Sequence, residues 1–249
     1  RHDSGYIYSK GTILRVAVPT FTTTLETKFV ALVPNCYNIS NLKSVFYALE
    51  LKTVELLHKW DTNTGTLAEP NGMGPAVGAD YLTYAESDTS VSPVYGRDQV
   101  SEFAYAGDLH GNVYRFDLSD IFTVNGVSTP ELFFSGSKQR PITTIPRVAV
   151  NTTLLSNNDF ANFVVVLFGT GKYLELSDRS ITSQPDQYLF GLKDNGYPIS
   201  TPYSLTDNRL ITQTITQSGD QRYLSENLVP ADKSWKIKLI ENGERMVNT

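Results

Sequence analysis

The sequence is built from short apolar segments that recur with one design. Three segments, beginning near Val45, Glu102 and Phe163, each contain an aromatic and aliphatic strand, a polar or glycine-rich bend and a return strand. They recur about every 60 residues, a longer interval than the propeller repeats of about 40 to 50 residues. Because such a sheet unit cannot cover its own apolar face, successive units must pack on one another. The pattern predicts radially arranged blades.

Most other apolar segments are also short, rich in Val, Phe, Tyr, Ile and Thr, and bounded by Gly, Pro, Asn or Asp. These features are typical of strands. The ranges predicted as strands are 12–18, 28–33, 102–106, 112–118, 163–168, 172–176, 187–192, 210–216 and 235–240. The chain is therefore predicted to be all-β.

One stretch, residues 42–60, fits two interpretations. Leu42, Val45, Phe46 and Leu49 begin a series with helical spacing, and Leu, Glu, Lys and Ala favour helices. Read with a period of two, the same stretch gives a strand from Val45, a turn at residues 52–53 and a second strand to residue 60. Only the recurrence of hairpin-like segments favours strands here.

The length of the chain limits the number of blades. Its 249 residues are predicted to form one domain, 1–249, with units near 12–60, 72–136, 141–196 and 200–249. The smallest closed propellers have about four blades. Three full units and part of a fourth barely reach that number, so we expect part of a larger β-propeller.

Composition argues against several partners. The net charge is −5 and no basic run occurs, so the cationic surface that nucleic acids require is missing. No apolar run is long enough to cross a bilayer, so no transmembrane segment is expected. The single cysteine, Cys36, is interpreted as a small apolar residue, although its role is not defined by the sequence.

The bend Asp108-Leu109-His110-Gly111-Asn112 places a carboxylate two residues from an imidazole. A catalytic interpretation would require a third partner and a pocket. A hairpin accounts for the same residues, because an Asp side chain accepts backbone N–H groups and glycine allows a positive φ. We interpret the stretch as a bend.

The Gly-Thr-Gly-Lys sequence at 169–172 does not complete a phosphate-binding loop, since Tyr173 follows Lys172. Its glycines are predicted to form a tight hairpin turn. Trp60 and Trp235 are predicted to pack between blades, each with its N–H bonded to an acceptor. Two tryptophans and one cysteine argue against a quinone-dependent dehydrogenase.

No residue is assigned here as catalytic, cofactor-binding or metal-binding. The histidines are too far apart in sequence to indicate a metal triad; they are His2, His58 and His110. A secreted propeller enzyme that cleaves glycans remains the alternative function, with carboxylate pairs drawn from a small set. That set is Asp117, Glu175 and Asp178.

Three segments carry a family resemblance. They are YAGDLHGNVYRFDL at 105–118, PITTIPRVAV leading to VVVLFGTGKYLELSD at 141–178, and SWKIKLIENGERMV at 234–247. In that order they resemble the C-terminal propeller of the PilC/PilY family, the type IV pilus tip-associated adhesins and biogenesis factors of Gram-negative bacteria. FYALELKT at 46–53 and GMGPAVGAD at 72–80 resemble blade openings of the same family.

The resemblance implies modified, quinoprotein-like blades, and strands for the ambiguous stretch 42–60. It also implies a non-enzymatic, extracellular scaffold at the pilus tip or outer-membrane surface, with minor pilins and a host-cell or surface receptor as partners. The implied roles are pilus assembly, twitching motility and attachment. Because loops on a rigid scaffold commonly bind partners, the connector 81–101 is the candidate contact surface.

Calcium is the one cofactor that the resemblance suggests. Many relatives place Asp and Asn at alternating positions before the strand equivalent to residues 103–108, which suits a cation that needs six to eight oxygens. The acidic residues of this region lack that spacing; they are Asp80, Glu86, Asp88 and Asp98. The sequence DTNTG at 61–65 also lacks a full ligand set and predicts an Asx turn.

Overall fold

Short strands rich in Val, Phe and Tyr make up the structure, a computed structural model. It describes residues 11–18, 26–36, 42–80, 99–123, 126–150, 163–181 and 184–247. Seventeen strands and two short 3₁₀ helices (η1 and η2) occur in these ranges. None of the helices among them is long and apolar enough to span a membrane. The predicted all-β class is confirmed.

The first nine strands are Thr12–Val18 (β1), Glu26–Pro34 (β2), Val45–Glu50 (β3), Leu56–Asp61 (β4), Met73–Ala79 (β5), Phe103–Asp108 (β6), Val113–Asp117 (β7), Val127–Ser128 (β8) and Glu131–Ser135 (β9). The others are Arg147–Val150 (β10), Val164–Gly169 (β11), Tyr188–Asp194 (β12), Tyr203–Ser204 (β13), Leu210–Gln213 (β14), Ile215–Ser218 (β15), Gln221–Leu224 (β16) and Ser234–Lys238 (β17). The 3₁₀ helices are Leu118–Phe122 (η1) and Leu176–Arg179 (η2).

Three five-stranded sheets follow one another along the chain. Sheet 1 has the order β1-β2-β3-β4-β8, sheet 2 the order β5-β6-β7-β9-β13, and sheet 3 the order β10-β11-β12-β17-β14. The first four strands of each sheet pair antiparallel. Strands β15 and β16 form a separate hairpin.

The fifth strand of each sheet pairs parallel with the fourth. The chain between β7 and β9 of sheet 2 supplies β8, which pairs with β4 of sheet 1. The chain between β12 and β17 of sheet 3 supplies β13, which pairs with β9 of sheet 2. Sheet 3 differs, because β14 comes from its own connection and pairs with β17. Sheets 1 and 2 are therefore each completed by chain from the next sheet.

Aromatic rings fill the space between sheets 1 and 2. Phe46, Trp60 and Phe116 are fully buried in one cluster. The ring centroids of Phe46 and Phe116 are 4.8 Å apart, and those of Trp60 and Phe116 are 5.5 Å apart. Such pairs add about 0.5–1.5 kcal/mol each to the burial of their surface. Trp60 therefore packs between two sheets, as predicted.

A second aromatic cluster lies between sheets 2 and 3. The ring of Phe134 lies 5.3 Å from Phe168 and 4.8 Å from Phe190, and these last two rings stack at 5.0 Å. Sheet 2 is thus buried on both faces, which explains why the segment Val113–Asp117 shows no polar and apolar alternation. Trp235 differs from Trp60, because its indole lies over Gly191 of the neighbouring strand in the same sheet.

The structure decides between the two interpretations of residues 42–60. Strands β3 and β4 pair antiparallel across the turn at 51–53, so the helical alternative is wrong. Residues 172–176, predicted as a strand, contain none, and η2 begins at Leu176. Residues 200–249, expected to begin a fourth unit, add strands to sheets 2 and 3 and form the β15–β16 hairpin.

A buried polar network joins β4 to η1 and β8. Trp60 Nε1 and Ser128 Oγ both donate to Asp120 Oδ2, at 3.3 and 2.7 Å. His58 Nε2 lies 2.9 Å from Ser128 Oγ. Since that hydroxyl donates to Asp120, His58 Nε2 is the donor in this pair and Nδ1 is left without a proton. His58 Nδ1 is buried and has no hydrogen-bond partner among the residues that the structure describes.

Protonation of His58 would place a second N–H where no acceptor is found, and burial lowers the pKa of this imidazole despite the nearby Asp120 carboxylate. The unfolded chain takes up a proton near pH 6.5, whereas the folded chain does so only at lower pH. The contribution of neutral His58 to stability is therefore present above about pH 6.5 and is lost as the pH falls below it.

We predict that His58→Gln flattens the dependence of the free energy of unfolding on pH. The wild-type chain should lose up to about 1.4 kcal/mol per pH unit from this group below pH 6.5. Urea unfolding at several pH values between 5 and 8 measures the slope, with the exposed Leu228→Ala as a matched control. A slope in His58→Gln equal to that of the wild type would contradict this assignment.

Candidate functional site

The three segments that suggested the family lie against one another. The bend at 108–112, the segment 141–143, the turn at 169–172 and the tail at 243–247 form one continuous line of contacts, called here the motif strip. Ile142 N donates to Asp108 O at 2.9 Å, and Gly171 N donates to Pro141 O at 2.7 Å. The tail joins at the far end, where Met246 N donates to Thr170 O at 3.0 Å. Segments far apart in sequence thus hold neighbouring sheets together.

Asp108 organises the bend. Its carboxylate is fully buried and accepts the Asn112 backbone N–H at 2.8 Å, the Asn112 side-chain amide at 3.0 Å and the Asn71 side-chain amide at 2.8 Å. Gly111 has a φ of 80°, the left-handed conformation that glycine adopts without strain. Burial raises the pKa of the Asp108 carboxyl, although these three donors oppose the rise. The predicted structural role for this bend matches the observed hydrogen bonds.

The hydrogen bonds of His110 go to groups other than the Asp108 carboxylate. Its Nε2 lies 3.2 Å from the carbonyl oxygen of Pro70, and its backbone N–H donates to Asn71 Oδ1. Asn71 also donates to Thr64 Oγ1, so one buried amide links the bend to the loop after β4. His58 has different partners in the sheet 1 core, and His2 lies outside the described residues.

The turn at 169–172 is not the tight hairpin turn that its glycines predicted. Strand β11 ends at Gly169, and its partner β12 begins only at Tyr188. A Cβ at Gly169 would lie 2.1 Å from Met246 Cγ, and one at Gly171 would lie 2.5 Å from Met246 O. The glycines are required because the tail packs directly on this backbone.

A buried ion cluster joins sheet 2 to sheet 3. Arg115 of β7 is 1 % exposed, and its Nη1 donates to both carboxylate oxygens of Asp194 in β12, at 2.7 and 2.9 Å. Its Nε donates to Glu131 at 2.9 Å, and Tyr105 Oη donates to Asp194 at 2.7 Å. We call these four residues the Arg115 cluster. Burial opposes the charge, but Asp194 and Glu131 outweigh it and hold the pKa of Arg115 above its ordinary value.

The carboxylates considered for glycan cleavage have structural contacts. Asp117 accepts the Ser119 backbone N–H at the start of η1. Asp178 accepts the backbone N–H groups of Leu174 and Glu175 at the start of η2, at 2.8 and 2.9 Å. Asp178 also lines a small cleft that includes neither Asp117 nor Glu175. The structure therefore places Asp117 at η1, apart from Glu175 and Asp178, which lie together at η2 and both form ion pairs with Lys172.

The described part of the suggested calcium region does not assemble a ligand set. Asp80 accepts the Gln99 backbone N–H at 3.0 Å, whereas Glu86, Asp88 and Asp98 lie outside the described residues. Residues 81–98 of the candidate contact connector also lie outside them. Within the described ranges, no three His, Cys, Asp or Glu side chains are grouped so that they could hold a metal ion.

Two further sequence predictions can be placed. In DTNTG the Asp61 carboxylate accepts the Asn63 backbone N–H at 2.8 Å, which confirms the Asx turn. Cys36 is fully buried, and its backbone N–H donates to Met73 O, so it lies at the contact between β2 and β5.

Sequence reasoning missed the two asparagines that connect the sheets. Asn35 Oδ1 accepts the backbone N–H groups of Val45 and Met73, both at 3.1 Å, and Asn71 bonds to Asp108. Both lie in polar stretches that resemble ordinary loops. The Asn-Gly pair at 71–72 was the one local signal, because it marks a tight turn rather than a loose connection.

Comparison with known proteins gives a consistent result. The sequence model of the PilY1 beta-propeller domain matches residues 9–228. The chain is 26% identical over 248 residues to the type IV pilus biogenesis factor PilY1 of Pseudomonas aeruginosa strain PAO1, and this covers 90% of the chain and 19% of that protein. It is 27% identical over 234 residues to a PilY1 homolog of Xylella fastidiosa, with coverage of 87% and 14%.

A solved structure extends this comparison to the fold. The crystal structure of the P. aeruginosa PilY1 C-terminal domain matches with a TM-score of 0.67 and 25% identity, covering 98% of this chain and 53% of that one. The predicted β-propeller class is therefore confirmed, and the three sheets are blades of a propeller that this chain forms in part. The chain spans about a fifth of the curated P. aeruginosa relative.

We predict that Asp108→Asn destabilises the chain although it preserves size. Three N–H groups donate to this carboxylate. The NH₂ group of asparagine cannot accept a hydrogen bond, so at least one of these donors would lose its acceptor. The expected loss is about 1–3 kcal/mol in the free energy of unfolding. His110→Ala, at the same bend, should change it by less than about 0.5 kcal/mol. Equal effects of both variants in urea unfolding would argue against the structural role of Asp108.

We predict that Arg115→Met lowers the free energy of unfolding by about 3–5 kcal/mol, because Asp194 would remain buried without its cation. Removing both charges in Arg115→Met/Asp194→Asn should cost less than the sum of the two single changes. Urea unfolding of the four chains completes a double-mutant cycle. Strictly additive losses would show that the pair does not couple the two sheets.

Proposed function

This chain belongs to the PilY1 β-propeller family, and on that premise we propose that it is a non-enzymatic scaffold that acts with type IV pili. Its relatives in Pseudomonas aeruginosa and Xylella fastidiosa are named type IV pilus biogenesis factors or homologs of one. The chain corresponds to a small part of those proteins, so their biogenesis role is transferred to it here as a proposal.

One observation is the main support for this assignment. The residues that resemble the family form the motif strip, and the strip supplies contacts on which the packing of neighbouring sheets depends. The Asp108 bend, the Pro141–Ile142 segment and the glycines at 169 and 171 fall within the matched range 9–228. The likeness therefore includes residues that determine the fold, and it is not confined to general strand composition.

The architecture suits a scaffold that presents loops. Stacked sheets joined by buried aromatic rings and by the Arg115 cluster form a rigid support, and loops on such supports commonly bind partners. We place the chain outside the cytoplasm, at the pilus tip or outer-membrane surface. There it would contact minor pilins, favour fibre assembly over retraction, support twitching and attach to host cells or surfaces. The connector 81–101 is the proposed contact segment.

The proposal predicts a defect in pilus assembly. In the bacterium that encodes this chain, in-frame removal of the codons for residues 12–247 should reduce the number of surface pili and the twitching zone. Electron microscopy counts the pili, and the intact gene supplied in trans should restore them. A gene with Leu228→Ala, an exposed position, should restore them equally well. Unchanged pilus number and unchanged twitching after the deletion would refute the assignment.

The contact role of the connector has a separate test. Replacing residues 81–101 with a flexible linker of equal length should reduce attachment while circular dichroism still reports a folded sheet protein. If pilus number and attachment are both unchanged in this variant, the connector is not the contact segment. The pilus role itself would then be tested only by the deletion of residues 12–247.

A further inference from the structure

A cavity of about 390 Å³ opens at the junction of sheets 2 and 3, beside the Arg115 cluster. Its walls come from the end of β12, the crossing segment that contains β13, and the residues just before β17. Its volume lies at the lower end of the range for sites that hold small molecules, about 300–1,000 Å³. The residues of the motif strip do not line this cavity.

Lys193 supplies a cation to the cavity wall. Its Nζ donates to the carbonyl oxygens of Pro230 and Ala231, at 3.1 and 2.8 Å, and lies 5.0 Å from the centroid of the Phe163 ring. An ammonium has three protons to donate, so one is left. No carboxylate forms an ion pair with Lys193 within the described part of the chain. Burial lowers the pKa of this ammonium, and Asp232 at the exposed rim opposes that shift.

Arg209 supplies a second donor that is already fixed in place. Its Nε and Nη2 donate to Asp207, and its guanidinium lies 4.0 Å above the centroid of the Tyr203 ring. Nη2 also donates to the carbonyl oxygens of Thr201 and Pro202. Nη1 has no hydrogen-bond partner among the residues that the structure describes. Two N–H groups therefore remain for a ligand, on a side chain that is already held by packing.

The rim combines an exposed ring with neutral polar groups. Tyr197 is 72 % exposed, an unusual position for a large aromatic side chain. Asn195 Oδ1 accepts the Tyr197 backbone N–H, so its Nδ2 donors point elsewhere. Ser200 and Thr201 also line the cavity, and neither hydroxyl is used in a hydrogen bond to a described residue. A ligand that matched this rim would carry hydroxyl groups around a ring.

We propose that this cavity binds a sugar acid, a hydroxylated ring with one carboxylate. The carboxylate would lie between Lys193 and the free Nη1 of Arg209. Its hydrogen bonds there would be charge-assisted, and such bonds are stronger than those between neutral groups. The ring would lie against Tyr197, with its hydroxyls toward Asn195 and Thr201. An apolar aromatic acid would leave these polar groups unpaired. A phosphate monoester would bring a second negative charge. The cavity does not balance that charge, because Arg209 is already paired with Asp207 and the wall also contains Asp194 and Asp232.

This site would extend the attachment role in the proposed function, on which its biological use depends, but its chemistry can be tested without pili. Isothermal titration calorimetry of the 249-residue chain with glucuronate, galacturonate and methyl glucoside compares acidic and neutral rings. We expect at least one of the two acids to bind about tenfold more tightly than the neutral glycoside. Lys193→Met should remove this preference, and Tyr197→Ala should weaken both kinds of sugar.

Tyr223→Ala serves as the matched control, because Tyr223 is also exposed but lies on the β15–β16 hairpin and does not line the cavity. Its binding should equal that of the wild type. If Lys193→Met fails to fold by circular dichroism, Asn195→Ala provides a second test, with a several-fold loss expected for every sugar that binds.

Two results would overturn the proposal. Equal affinity for glucuronate, galacturonate and methyl glucoside would show that the cations do not select a carboxylate. Absence of binding by all three at about 10 mM would remove the sugar site altogether. Neither result changes the pilus counts. If deletion of the chain reduces the number of pili but the chain binds no sugar, the pilus proposal stands and the sugar-site proposal fails.

Discussion

The structure depends on covering both faces of sheet 2. Its central strands place Phe116 and Tyr114 toward sheet 1 and Val113 and Arg115 toward sheet 3. No face is left for water, so any polar side chain there needs an internal partner. The aromatic clusters supply the non-directional part of this burial. Arg115 is accommodated because Asp194 and Glu131 neutralise it, and this requirement fixes how sheet 3 lies on sheet 2.

The motif strip provides hydrogen-bond partners for backbone groups at the strand ends. Strands that end in bends leave backbone groups to be satisfied, and neighbouring sheets must meet there without a regular ladder. Single backbone hydrogen bonds form this line of contacts: Ile142 N–H donates to Asp108 O, Gly171 N–H to Pro141 O, and Met246 N–H to Thr170 O. Glycine is needed where the tail approaches, because a side chain would collide with Met246. The family likeness follows this geometry.

How much the sequence could predict differs between local and non-local features. The bend at Asp108 follows from a local pattern, because turn residues act within a few positions. The strands in residues 45–61 do not, because the local pattern fits a helix equally well and only the recurrence of hairpin-like segments favours strands. The strand that contains β14 was predicted at 210–216. The fifth strands of sheets 1 and 2 could not be predicted, since the two-residue segments β8 and β13 have no pattern of their own. The strand predicted at 172–176 is replaced by a loop because packing of the tail on Gly169 and Gly171 overrides local propensity. The Arg115–Asp194 pair, 79 residues apart, also has no local signal.

The exchange of outer strands has a mechanical consequence. The chain that forms sheet 2 supplies β8 to sheet 1, and the chain that forms sheet 3 supplies β13 to sheet 2. Sheets 1 and 2 and sheets 2 and 3 are therefore connected by main-chain hydrogen bonds as well as by side-chain packing. Tension that draws adjacent sheets apart must break those short ladders together with the aromatic contacts. Each of the first two sheets is therefore held by a strand from the sheet that follows it, and it resists separation from that sheet under load.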